Sequence, residues 1–330
     1  TEVVSDHGFR LVVTYDLGVT PTPDDAETSA AKAYPGARGP ERHTMIQSWG
    51  VGIACHEWGS PDAPPLLLAH GGFDFSGTFH LLAPLLAEAG WRVVAWDQRG
   101  HGDSQHATLY SWDADVRDAL AVLDSVTTGA CPVIGHSKGG NLMMQLADAQ
   151  PHRISHLMNL DGLPSKWPSP DISDHERTLM LAEELASRLD HRRAAGTKTR
   201  RPGTIDELAR RRSVMNPRLD LDWLRYLVTV GARRDEDGWR WKIDPALRLG
   251  GFGPWRPEWA LQRMPGLSMP FLGLLGLEPD AMSWGTKPHD VLPYLPPGGR
   301  LESLAETGHF VHAERPAEVA ALILDFLPTP

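Results

Sequence analysis

A short apolar run ending at Gly135 passes through Gly135-His136-Ser137-Lys138-Gly139 into an amphipathic stretch at 142–149. Small residues on both sides of a serine, between a strand and a helix, are what a backbone needs to fold sharply back on itself. Such a turn exposes the hydroxyl and sets it at a helix N-terminus, where free N–H groups and the helix dipole favour negative charge. A chain organised around this turn must supply a strand before it and a helix after it.

The flanking sequence continues that alternation. Residues 51–58 read as a strand, 66–69 as a short, fully apolar one, 81–89 as a helix and 93–96 as the next strand. Ser111 is placed to cap a helix that carries Val116, Leu120 and Leu123 on one face. Residues 154–160 form one more strand, and this rhythm predicts a parallel sheet covered on both faces. It breaks over 161–262, where helical stretches at 176–189, 205–211 and 222–230 are separated by loops rich in Pro and Gly. It resumes with strands at 270–275 and 301–304 and a last helix starting near Pro316, with Val319, Leu322, Ile323 and Phe326 on its inner face. The expected organisation is an extension over 1–44, an α/β core over 45–160 and 263–330, and a helical cap over 161–262 inserted after the sixth strand. Within the extension, Phe9, Leu11, Val13 and Tyr15 alternate as in a strand, and 21–40 reads as loop.

Composition narrows the function. With 41% apolar and 22% charged residues in 330, the chain has the make-up of a globular protein with a sizeable core. No apolar run approaches the roughly 18 residues of a membrane span. The net charge of −10 argues against nucleic acid, which demands a basic face. Residues 161–262 depart from that balance, with 19 Lys/Arg against 16 Asp/Glu, which marks the inserted segment as a surface of its own. Cys55 and Cys131 both lie in strand-like apolar runs and read as buried reduced thiols. Residues 1–10 lack the layout of a secretory signal, and the expected location is cytoplasmic. The expected partner is a small-molecule substrate, and a homodimer is the one assembly left open.

Two further motifs complement the serine. His70-Gly71-Gly72 follows an apolar strand, and glycines there allow backbone N–H groups to approach a developing oxyanion. The expected donors are the N–H of Gly72 (or Phe73) and that of Lys138, whose side chain is placed at the pocket mouth. Thr307-Gly308-His309-Phe310 lies between the last strand and the final helix, where a base following the serine in the order Ser, acid, His belongs. His309 is therefore the expected base, with His312 its near competitor. For the acid the choice is Asp280, in the loop after the strand at 271–275, with Glu278 and Asp161 as alternatives. There is no HExxH and no close Cys/His cluster, so no metal is expected.

Together, His70-Gly71-Gly72, Asp97-Gln98-Arg99-Gly100-His101-Gly102-Asp103-Ser104, Gly135-His136-Ser137-Lys138-Gly139-Gly140 and Gly308-His309-Phe310-Val311-His312 resemble the α/β-hydrolase superfamily. The resemblance covers about 45–330 apart from the insertion. It implies an eight-stranded, mostly parallel sheet, a cap over the active site and a cofactor-free mechanism. It also implies that 97–104 shapes a turn rather than reacting. In many relatives the acid follows a glycine of the seventh strand by three residues; that place is Pro279 here, and Asp280 comes one later.

The activity expected is cleavage of a carboxylic ester or lactone through an acyl-enzyme. Carbon–carbon bond hydrolysis, cofactor-free perhydrolysis and a non-catalytic ligand receptor are the alternatives. Ser137 in the turn disfavours epoxide hydrolysis and dehalogenation, which use Asp there. Six of the twelve tryptophans (Trp167, Trp223, Trp239, Trp241, Trp255 and Trp259) fall in the insertion, where they either line an apolar pocket or pack the helical layer onto the sheet.

Overall fold

The computed structural model describes residues 32–164, 174–248 and 259–330. The alternating pattern expected at 9–15 and the residues Trp167 and Trp255 lie outside these. Eight strands form one sheet: β1 Arg42–Ser48, β2 Val51–Trp58, β3 Pro65–Ala69, β4 Arg92–Trp96, β5 Cys131–His136, β6 Ile154–Leu160, β9 Phe271–Gly276 and β10 Arg300–Leu304. Their order is β1-β2-β4-β3-β5-β6-β9-β10. The β1–β2 and β2–β4 pairs are antiparallel, and every other neighbouring pair is parallel. The first strand begins at Arg42, slightly ahead of the point where the sequence pattern becomes readable.

The all-apolar strands follow from coverage on two faces. Along β3, Leu67 and Ala69 face one layer, with Val94 and Trp96 of β4, Val133 of β5 and the helices α2 (Trp112–Val126) and α3 (Lys138–Ala149). Leu66 and Leu68 face the other, with Trp58, Phe79 and the helices α1 (Ala83–Glu88) and α10 (Pro316–Phe326). Successive strand side chains point to opposite faces, so a strand sandwiched between helices has no polar positions to spare. Each fully buried leucine stabilises by about 1.5–3 kcal/mol. Ser111 caps α2, its side chain accepting from the N–H of Ala114 at 3.2 Å. Both cysteines are free and buried, and burial pushes the Cys131 thiol up to about 12.

Between β6 and β9 the chain forms the helices α4 (Asp174–Ala195), α5 (Ile205–Ser213) and α6 (Leu221–Gly231). A hairpin follows, β7 Ala232–Asp235 with β8 Gly238–Trp241, then the short α7 Ala260–Arg263. The hairpin has no counterpart in the sequence reading, because Arg233, Arg234 and Asp235 break its apolar alternation. Leu208, Leu224 and Leu227 of this segment make a third core with Phe75, Leu81 and Phe310, which lie on loops beyond the strand ends. The insertion therefore sits over the end of the sheet where β3 and β5 finish.

The crossing of β5 and α3 leaves no room for side chains. A Cβ on Gly135 would come within 2.2 Å of the Gly139 carbonyl oxygen, and one on Gly139 within 2.2 Å of that of Ala69. Replacing Gly135 with alanine is expected to cost about 1–3 kcal/mol through overpacking against backbone that cannot yield. The midpoint of urea unfolding at unchanged slope measures it.

Candidate active site

Ser137 occupies the turn between β5 and α3 with φ 53° and ψ −120°, a conformation that L-residues rarely adopt. Such strain costs of the order of 1–3 kcal/mol and persists only where the surroundings enforce it. They do so here: the Ser137 N–H donates to Leu160 O at 3.0 Å, and the Ser137 carbonyl accepts from Gly140 N at 2.9 Å. Gly71 closes the turn from above, where a Cβ would meet the Ser137 Cβ at 3.2 Å. The serine remains half-exposed although both neighbouring elements are buried.

His309 lies in the loop between β10 and the short helix α9 (Val311–Glu314) and is 1% exposed. Its Nδ1–H donates to Asp161 Oδ2 at 2.6 Å. Asp161 is the residue immediately after β6, at φ 48°, and its Oδ1 accepts from the N–H of Gly276 at 3.1 Å. Both oxygens of this buried carboxylate are thus engaged, one by the imidazole and one by the end of β9. With the Nδ1–H directed at Asp161, the lone pair of the ring is on Nε2.

This corrects the choice of Asp280. Its Oδ1 accepts from the N–H of Met282 at 2.9 Å, closing a local turn, and its carboxylate makes no bond to His309. The physical reason is reach: β9 lies between β6 and β10, and the loop after β10 carries His309 back across it to the end of β6, where Asp161 meets the imidazole, whereas Asp280 is spent on its own loop. Glu278 is half-exposed and faces Arg218 at 4.0 Å. His312 is buried, donates to or accepts from Thr78 Oγ1 at 2.9 Å, and is pushed down to about 3 by burial. It has no carboxylate partner and stays neutral. His136 sits between His309 and His312, tilted to one ring and edge-on to the other with centroids at 4.7 and 4.4 Å, and its Nε2–H donates to the His309 carbonyl at 2.9 Å.

Ser137, His309, Gly72 and Lys138 line one cavity of about 210 Å³. The N–H of Phe73 donates to His101 Nε2 at 3.2 Å, which leaves Gly72, in the cavity lining, as the candidate donor from this loop. Lys138 is the first residue of α3, where N–H groups have no partner within the helix. Its ammonium does not stand free at the mouth: Asp115 holds it at 2.6 Å and Gln98 at 2.7 Å, beside the Trp112 ring. The 97–104 segment is tied up structurally. Asp97 accepts from the N–H groups of Ser76 and Asp103, and the buried Arg99 forms a two-pronged pair with Asp118 at 2.6 and 2.7 Å.

A family model described as the alpha/beta hydrolase fold matches residues 64–197. The sn-1-specific diacylglycerol lipase ABHD11 of Mus musculus is 28% identical over 273 residues, 82% of each chain. Among solved structures, a thioesterase domain from the curacin biosynthetic pathway superposes with a TM-score of 0.71 at 23% identity, covering 86% of this chain and 99% of its own. The carboxylesterase CesB of Bacillus subtilis gives 0.61 at 17% identity, covering 92% and 96%. The chain has the α/β-hydrolase fold. Most of the proteins it resembles are hydrolases by name, and the chain is a hydrolase of this fold.

In this hydrolase the cavity walls come from places the sequence reading passed over. Trp112 heads α2, and Met282 and Trp284 lie in the loop after β9; with Phe310 they make the lining predominantly apolar. None of the described tryptophans of the insertion reaches the cavity. Trp223 is buried in the insertion's own core, stacked on Tyr226 at 5.3 Å, and Trp239 and Trp241 belong to the hairpin. A larger hollow of about 900 Å³ lies between Tyr34 and that hairpin, but it is lined by carboxylates such as Asp206, Asp222 and Asp235 and holds no serine or histidine. His56, Asp97 and Asp103 come close enough to share a cation. However, His56 already bonds Asp97 at 3.1 Å and the Lys242 ammonium sits on Asp103 at 2.6 Å, so their charges are met within the protein.

The geometry separates the two aspartates. Replacing Asp161 with asparagine should slow fluorophosphonate labelling of Ser137 by about 10⁴-fold, since the amide no longer holds the imidazole in the right tautomer. Asp280→Asn should leave the rate close to wild type. Time-resolved intact-mass spectrometry reads both.

Proposed function

We propose that the protein is a serine hydrolase that cleaves a carboxylic ester or lactone of a small, largely apolar or aromatic substrate. Ser137 is the nucleophile, His309 the general base and Asp161 the acid that orients it. As His309 Nε2 takes the hydroxyl proton, the Ser137 oxygen adds to the substrate carbonyl carbon. The N–H groups of Gly72 and Lys138 stabilise the charge that moves onto the carbonyl oxygen. The imidazolium, steadied by Asp161, returns its proton to the leaving alcohol as the carbon–oxygen bond breaks, which leaves an acyl-enzyme. Water, deprotonated by the same nitrogen, then releases the acid and restores the serine.

One observation carries this reading: a strained, half-exposed serine shares a cavity with an imidazole whose Nδ1–H is fixed by a buried carboxylate. The apolar walls support a substrate with hydrocarbon around its carbonyl. The mouse relative, by name a diacylglycerol lipase, supports ester chemistry over the other reactions that such a site can run.

The test is fluorophosphonate labelling followed by turnover of p-nitrophenyl esters, lactones and vinylogous diketones. Labelling at Ser137 with ester hydrolysis, reduced about 10⁶-fold in Ser137→Ala, is the expected outcome. Diketone cleavage without ester turnover would move the assignment to carbon–carbon hydrolysis, and absence of labelling would favour a receptor.

A further inference from the structure

Among the described residues, two carboxylates at this end of the sheet keep a buried oxygen without a donor, Asp280 and Asp74, and of these only Asp74 lines the cavity of Ser137. Asp161 is held by His309 and Gly276, Asp118 by both prongs of Arg99, and Asp97 by Ser76, Asp103 and His56. Asp74, 2% exposed, receives one donor only: Arg212 Nη2 bonds its Oδ1 at 2.8 Å. Its Oδ2 is buried with no donor among the described residues. Asp74 also lines the cavity that contains Ser137 and His309.

A buried acceptor without a donor is costly, and native structures retain few of them. Although burial pushes Asp74 up, the Arg212 guanidinium outweighs it and holds the carboxyl below its ordinary range. At neutral pH the group is a carboxylate and can only accept. Arg212 is held in place on its other side, with Nε donating to Asn216 Oδ1 at 3.3 Å and Cζ 5.2 Å from the Trp241 ring centroid. The Asp74–Arg212 pair is therefore neutral overall, which favours an uncharged donor over a cation. Elsewhere the lining offers mainly hydrocarbon from Trp112, Met282, Trp284 and Phe310.

We propose that Asp74 is a specificity-determining residue that accepts a hydrogen bond from a hydroxyl group carried by the substrate near its scissile carbonyl. This rests on the ester-hydrolase reading and narrows its substrate class to hydroxylated esters. Arg212, which reaches Asp74 from α5 of the insertion, is the positioning residue that keeps the carboxylate charged and fixes one of its oxygens. A hydroxyl on the acyl side and one on the alcohol side offer the same chemistry, so the experiment needs both.

Two isosteric pairs distinguish them: p-nitrophenyl β-hydroxybutyrate against p-nitrophenyl isovalerate, and hydroxyethyl butyrate against propyl butyrate. The wild-type protein is expected to favour the hydroxylated member of one pair by about tenfold or more in kcat/KM, because a buried acceptor left unpaired penalises the other. The double variant Asp74→Leu/Arg212→Met removes both charges together, so neither is stranded, and the preference should fall to near unity. A merely structural role would lower both members of a pair equally and leave the ratio intact. A wild-type protein without preference in either pair, or a preference that survives the double substitution, overturns the proposal. Calorimetric binding of hydroxyethyl and propyl butyrate to Ser137→Ala scores the recognition without turnover. Selective binding there, with no hydrolysis by wild type, would sink the hydrolase reading alone.

Discussion

The pairing of His309 with Asp161 joins three parts of the chain that are far apart in sequence. It exists because β6 and β9 lie side by side and parallel, so that the residue after one strand can also take an N–H from the end of the other. The carboxylate is thereby locked to the sheet rather than carried on a mobile loop, and the imidazole inherits that rigidity. His136 adds a second restraint by donating to the His309 carbonyl from the strand that ends in the nucleophile turn. Position, rather than exotic chemistry, is what this site supplies, and position is where much of an enzyme's rate enhancement originates.

The strained serine depends on the same framework. Its left-handed backbone is tolerable because the strand ends around it are clamped by parallel pairing and by glycines that allow backbone to touch backbone. The insertion then closes the space above. It does so with its own small core, anchored on Phe75 and Phe310, and with one buried ion pair that reaches from α5 to the loop after β3. The insertion thus contributes both apolar packing and a charge partner to the pocket wall.

Much of this was legible in the sequence, and the reasons are physical. Strands buried on both faces read as unbroken apolar runs, which is why Leu66, Leu67, Leu68 and Ala69 declared themselves. The turn at Ser137 was legible because its glycines answer to steric contacts that no other residue permits. The acid was not, because Asp161 and Asp280 each follow an apolar strand and sequence does not say which strand end lies against the histidine. Only the course of the loop after β10, which sets His309 against the end of β6, decides it. Of the two roles open to the insertion's tryptophans, Trp223 takes packing, buried in the insertion's own core, while Trp112 and Trp284 line the cavity.

The imidazole–carboxylate contact is the claim on which the rest hangs, and nuclear magnetic resonance of the ring proton tests it directly. The account predicts a strongly downfield, slowly exchanging Nδ1–H signal that disappears in Asp161→Asn and His309→Ala and persists in Asp280→Asn. A signal that survives replacement of Asp161, or vanishes with replacement of Asp280, would contradict it.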